Sequence, residues 1–139
     1  MAKIWRRSDR LKVKIGEVVL TLAPLNNHEK SEIASLMAKG TINQDFNALR
    51  SGSILSVKYS VKSISGVLDQ DDKPYELKFE GEYLTEECLN DLFNLGITKQ
   101  ITQVCAALVK NVPDEFTDDK GNKLEGVEIL KKDVPEKNV

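Results

Sequence analysis

Residues 43–65 read NQDFNALRSGSILSVKYSVKSIS, and the way that stretch folds decides whether helices or strands govern the chain. Phe46, Leu49, Ser53, Val57, Val61 and Ile64 recur at spacings of three and four, the period of one helix face. The spacing predicts one long helix over about 43–65, with Gly52 tolerated inside it at a cost of roughly 1 kcal/mol. The competing reading breaks the chain at Ser51-Gly52-Ser53 and continues 54–65 as a strand, because SVKYSVKSI alternates and is rich in β-branched residues. The unbroken three–four spacing favours the helix.

Upstream, residues 11–22, LKVKIGEVVLTL, read as a β-hairpin. Leu11, Val13 and Ile15 alternate with Lys12 and Lys14, and Val18, Leu20 and Leu22 alternate with Val19 and Thr21. Gly16-Glu17 supplies a two-residue turn with Gly first, as a type II′ turn prefers. Pro24 ends the second strand, and the period then changes. Asn26 or Asn27 caps a helix of about three turns, with Glu29 and Glu32 near its positive end and Gly40 as its stop.

Downstream of Gly66, Tyr75, Leu77 and Phe79 alternate with Glu76, Lys78 and Glu80, which predicts a short strand after an acidic turn. Thr85 caps a helix bearing Cys88, Leu89, Leu92 and Phe93. Thr98 caps another, with Ile101, Val104, Cys105 and Leu108 on its apolar stripe and Pro113 beyond it. From Asp114 charge and turn residues dominate, and Leu124, Val127, Ile129 and Leu130 offer a marginal strand at most. The expected layout is a basic arm at 1–10, one α+β domain at 11–113 and a charged flexible tail at 114–139. The domain holds an N-terminal β-hairpin and three to four helices, the helices dominating.

Composition narrows the function classes. A chain of 139 residues that is 40% hydrophobic can bury one adequate core. A net charge of −2 gives no general attraction to nucleic acid or to an anionic membrane. The basic run of residues 1–14 lacks interleaved aromatics and reads as a solvated flank, so nucleic acid is not the expected partner. No apolar stretch approaches the roughly 20 residues that span a bilayer. Cys88 and Cys105 lie in apolar helical patterns and read as reduced, buried thiols of a cytoplasmic protein.

Signals of chemistry are sparse, and neither an enzyme, a metal nor a cofactor is expected. The run Asp69-Gln70-Asp71-Asp72 resembles a calcium loop superficially, but Lys73 and Pro74 occupy the fifth and sixth positions, where a ligand and a glycine are needed. Asp114-Glu115 and Asp118-Asp119 pair carboxylates in a segment with no fixed separation. His28 reads as a surface residue of a helix cap. Ser51-Gly52-Ser53 lacks the upstream glycine of a nucleophile elbow.

Across roughly residues 11–110, the segments VVLTLAPLN, KYSVKSISG and LTEECLNDLFNL and their order resemble the tail assembly chaperones of long-tailed bacteriophages. The resemblance implies a non-enzymatic protein of the host cytoplasm that coats the long, apolar, helical tape-measure protein and recruits tail-tube subunits. The alternative is a structural virion component such as a tail-tube or connector protein. On the chaperone reading the expected partner contacts are Phe46, Leu49, Val57 and Val61 on the long helix, together with Phe116, Leu124, Val127 and Ile129 in the tail, whereas a structural component would order its N-terminal hairpin and tail in the assembled particle. A homo-oligomer stays open as another use of the same surfaces.

Overall fold

A computed structural model describes residues 4–133. The hairpin forms as expected from β1 (Arg10–Ile15) and β2 (Val18–Leu22), with Ile15 opposite Val18. Gly16 takes a φ of 61°, the left-handed value that the first position of such a turn requires. Alternation then separates the two faces. Leu11, Val13, Ile15, Leu20 and Leu22 are each at most 1% exposed, while Lys12 and Lys14 point to solvent.

The remaining elements are α1 (Asn27–Ile42), α2 (Phe46–Ser60), β3 (Val61–Ser65), β4 (Phe79–Glu80), β5 (Tyr83–Leu84), α3 (Glu86–Phe93), α4 (Thr98–Ala107) and β6 (Val127–Asp133). The main sheet is antiparallel in the order β3-β2-β1-β6, and β4 with β5 makes a separate ribbon. One apolar cluster joins the inward face of β1 and β2 to Ile33 of α1, Val57 of α2, Leu92 of α3, and Ile101 and Val104 of α4. The fold is α+β. Both outer strand pairs slip by one residue, leaving Lys62 of β3 and Leu130 of β6 without a partner in the ladder.

The 43–65 stretch follows neither sequence reading. Helix α2 passes straight through Ser51-Gly52-Ser53, ends at Ser60, and becomes β3 with no loop between them. The switch is made from outside the segment. Ser60 C=O accepts from the Ala23 N–H at 2.8 Å, and Tyr59 C=O accepts from Arg7 Nη2 at 2.9 Å. Val61 then pairs with Leu22 and Ile64 with Leu20. Two of the carbonyls left open at a helix end are thus satisfied by distant donors, and β2 offers a ladder in place of another turn.

Helix α1 runs past the predicted stop at Gly40. That glycine is an interhelical contact: a Cβ there would lie 2.4 Å from Leu49 Cγ and 2.9 Å from Leu49 N. A Cβ on Gly52 would meet Met37 Sδ at 2.7 Å. Two glycines therefore let α1 and α2 approach closely. The capping box at Asn26 and Glu29 is present, and Thr85 caps α3. Helix α4 starts after Ile97 instead of at a Thr98 cap, and Thr98 Oγ1 donates to Phe93 O at 2.8 Å. Of the strand predicted over 75–80 only β4 forms, because Tyr75 N–H is drawn to Val67 O instead.

The predicted division into arm, domain and tail is corrected for the described residues. Phe116, Leu124 and Val127 are at most 8% exposed, and β6 pairs along the free edge of β1. Asp118 Oδ1 accepts the Lys120 and Asn122 N–H groups at 2.9 Å each, and the turn brings Leu124 N–H onto Phe116 O at 3.0 Å. The segment holds few apolar residues, but an open strand edge and a core margin await them. Residues 1–3 of the predicted arm and 134–139 of the predicted tail lie outside the described residues.

Three substitutions test this account by urea unfolding. Phe116→Ala should cost about 3–5 kcal/mol, as truncation of a buried aromatic does, and a cost below about 1 kcal/mol would make 114–126 peripheral. Gly40→Ala should cost about 1–3 kcal/mol, because the Leu49 backbone must retreat. Gly52→Ala should cost less, since the flexible Met37 can yield and alanine gains roughly 1 kcal/mol of helix propensity.

Candidate interaction site

The buried polar centre of the molecule grows from Glu29, whose side chain is fully buried at the third position of α1. Its Oε1 accepts from the Asn26 N–H at 3.0 Å and pairs with Arg7 Nε at 3.2 Å, and its Oε2 accepts from Arg7 Nη2 at 3.2 Å. Arg7 also donates to Pro24 O at 3.4 Å and to Tyr59 O at 2.9 Å. One guanidinium thus ties the N-terminal segment to the β2–α1 connection, α1 and the end of α2. A hydrogen bond to Glu29, aided by burial, pushes the Tyr83 phenol up to about 12. Burial and a hydrogen bond to Glu32 likewise push Tyr59 up to about 12.

Lys62, the unpaired residue of β3, extends beside this group. Its amine donates to Glu82 O and lies 5.7 Å from the Tyr83 ring centroid. Burial, with repulsion from Arg7, lowers it from 10.5 to about 8. The arrangement orders polar groups without assembling a nucleophile and its base. Cys105 is fully buried and its thiol is pushed up to about 12. Cys88 accepts from the Lys78 N–H at 3.1 Å, and hydrogen bonds there outweigh the effect of burial to hold its thiol below the ordinary value. His28 is exposed. Among the described residues no group of three His, Cys, Asp or Glu side chains converges to hold a metal, and no helix is long and apolar enough to cross a membrane.

Most of the predicted contact residues are core. Val57 and Val61 are fully buried, Phe116, Leu124 and Val127 are buried, and Leu49 and Ile129 are half-buried. A stripe at helical spacing marks what an element buries, and these side chains are spent on the protein's own interior. Phe46 is different. It opens α2 and is 79% exposed, as is Ile42 at the end of α1. The two stand at the tip of the α1–α2 hairpin, ringed by Thr41, Asn43, Gln44 and Asn47.

The tip is held in one shape. Asp45 Oδ1 caps α2 through the Asn47 and Ala48 N–H groups at 3.1 and 3.2 Å. Asp45 N–H donates to Gly40 O at 2.9 Å, and Gln44 takes a positive φ of 52° to close the turn. Large apolar side chains presented on an ordered turn with a polar surround are the pattern of interface anchors. Sequence reasoning singled out Phe46, which is exposed, and did not single out Ile42. The available signal was an isoleucine in the polar connector Thr41-Ile42-Asn43, where a solvated turn has no use for one.

Comparison of the chain with protein-family models, with curated proteins and with solved structures finds no match.

Two measurements probe the polar centre. Arg7→Met strands a buried carboxylate and should cost about 3–5 kcal/mol, with partial recovery when Glu29→Gln is added; a cost below about 1 kcal/mol would remove the clasp from the account. Lys62 carries the pH dependence. Its folded value is about 8 against 10.5 unfolded, so between these the unfolded chain binds the extra proton and stability rises with pH. Cys105 opposes this trend above about 9, and Tyr59 and Tyr83 above 10, because the unfolded thiol and phenols ionise first. Stability should therefore climb from about pH 8 to 9 and level off beyond, and Lys62→Met should remove the climb.

Proposed function

We propose that this chain is a non-enzymatic assembly factor that binds another protein through the tip of its α1–α2 hairpin. The observation that carries the reading is the pair Ile42 and Phe46, each 79% exposed on a turn fixed by Asp45 and Gly40. Exposed side chains of this size expel little water in the isolated chain and gain their burial only against a partner. The resemblance to tail assembly chaperones makes that partner the apolar helical tape-measure protein, with tail-tube subunits recruited afterwards in the host cytoplasm. Apolar knobs on a rigid turn suit reversible shielding of such a helix, because they insert between its side chains without refolding the chaperone.

The test is co-expression with the phage's tape-measure and tail-tube proteins. The double variant Ile42→Glu/Phe46→Glu should keep its thermal midpoint, since both residues are solvent-exposed, and should lose co-purification with the tape-measure protein. Retained co-purification would move the contact away from the tip. Recovery of the chain at many copies in purified particles would make it a structural virion component instead.

A further inference from the structure

Away from the tip, a groove of about 630 Å³ lies between α3 and the 67–75 loop. Its floor is apolar, formed by Ile64, Val67, Leu92 and Leu95, and Leu68 stands at its rim with 61% of its surface exposed. Asp69, Asp71, Glu87 and Asp91 line the same groove, and no Lys, Arg or His does. Among the described residues none of these four carboxylates has an ion-pair partner. An apolar floor beneath four uncompensated negative charges is a defined chemical complement: it favours apolar side chains flanked by cations.

The walls are set before anything binds. Asp69 Oδ1 accepts the Asp71 and Lys73 N–H groups at 2.8 and 3.0 Å, and Asp69 N–H returns to Lys73 O at 2.8 Å. The Tyr75 hydroxyl spans the groove to Asp91 Oδ2 at 2.5 Å, joining the loop to α3. Such pre-ordering lowers the entropy cost of association. We propose that this groove receives a cationic amphipathic helix of a partner protein. Its apolar stripe would lie over Leu68 and the floor, and its flanking Lys or Arg side chains would face Asp71 and Glu87. Helix-in-groove recognition uses this division, with apolar anchors at i, i+3 or i+4 and i+7 for affinity and rim charges for selectivity. The proposal rests on the reading of the chain as a protein-binding module and adds a surface separate from the hairpin tip.

The probe is a synthetic helix of about 18 residues with leucines at i, i+3 and i+7, lysines only at the positions flanking that stripe and alanines elsewhere, a length and composition that can hold helix in water. Two controls accompany it: the same peptide with glutamate for lysine, and a lysine peptide with its leucine positions scrambled. With the full chain, amide NMR shifts on adding the lysine helix should centre on Leu68, Asp71, Glu87 and Leu95. Leu68→Asp alters an exposed side chain and should keep the wild-type thermal midpoint, and the pair Asp71→Lys/Glu87→Lys should lower it only slightly, because Glu87 sits in the first turn of α3. Each should weaken the lysine helix about tenfold or more, and the charge-reversed pair should come to prefer the glutamate helix. Equal binding of the scrambled peptide, shifts centred elsewhere, or indifference to charge reversal would overturn the proposal. The Ile42→Glu/Phe46→Glu variant should bind the probe normally, so a failed groove leaves the tip to be judged by its own experiment.

Discussion

The buried pair Arg7–Glu29 is the constraint on which the arrangement of elements turns. A carboxylate without solvent contact is tolerated only when its charge is matched and its oxygens are satisfied. Glu29 meets that condition by drawing in Arg7 and the Asn26 amide. Arg7 in turn needs acceptors and finds them at Pro24 and Tyr59. The pair therefore does more than neutralise charge. It holds the start of α1 and the end of α2 at one point, beside the residue where helix gives way to strand. Its value lies in specifying this arrangement, since a well-packed apolar pair could match its net stability.

That dependence explains where the sequence was legible. The β1–β2 hairpin, the Asn26 and Thr85 caps and the apolar faces of the helices are local events, set by period, turn chemistry and capping over a few residues. The boundary at Ser60 and Val61 is not. Its determinants, Arg7 and Ala23, lie far back in the chain, and the three–four spacing of Val57, Val61 and Ile64 fits a helix equally well. The alternation and β-branched residues of SVKYSVKSI were the local trace of β3. At Gly40 the sequence offered a stop signal, and packing against Leu49 overrode it.

The C-terminal segment shows a different limit. Counting apolar residues per unit length marks 114–139 as a tail, yet stability depends on where each residue goes. Phe116, Leu124 and Val127 each occupy a place in the core, and β1 supplies the hydrogen bonds for the strand that follows. The same error inverted the expected contact surface. Most residues chosen for their apolar periodicity were core because of that periodicity, whereas Phe46 begins the stripe beyond the core's reach and Ile42 lies off it.

The two slipped strand pairs bear on solubility. An edge strand in regular register exposes evenly spaced amides and carbonyls that another chain can copy, the first step toward sheet polymerisation. Here β3 and β6 are the two outer strands, and each carries an extra residue, Lys62 or Leu130, that puts its backbone groups out of step. A foreign strand laid along either edge would lose alignment after a few residues. Apolar side chains can therefore stand at the hairpin tip while the out-of-step edges keep the sheet from templating fibres.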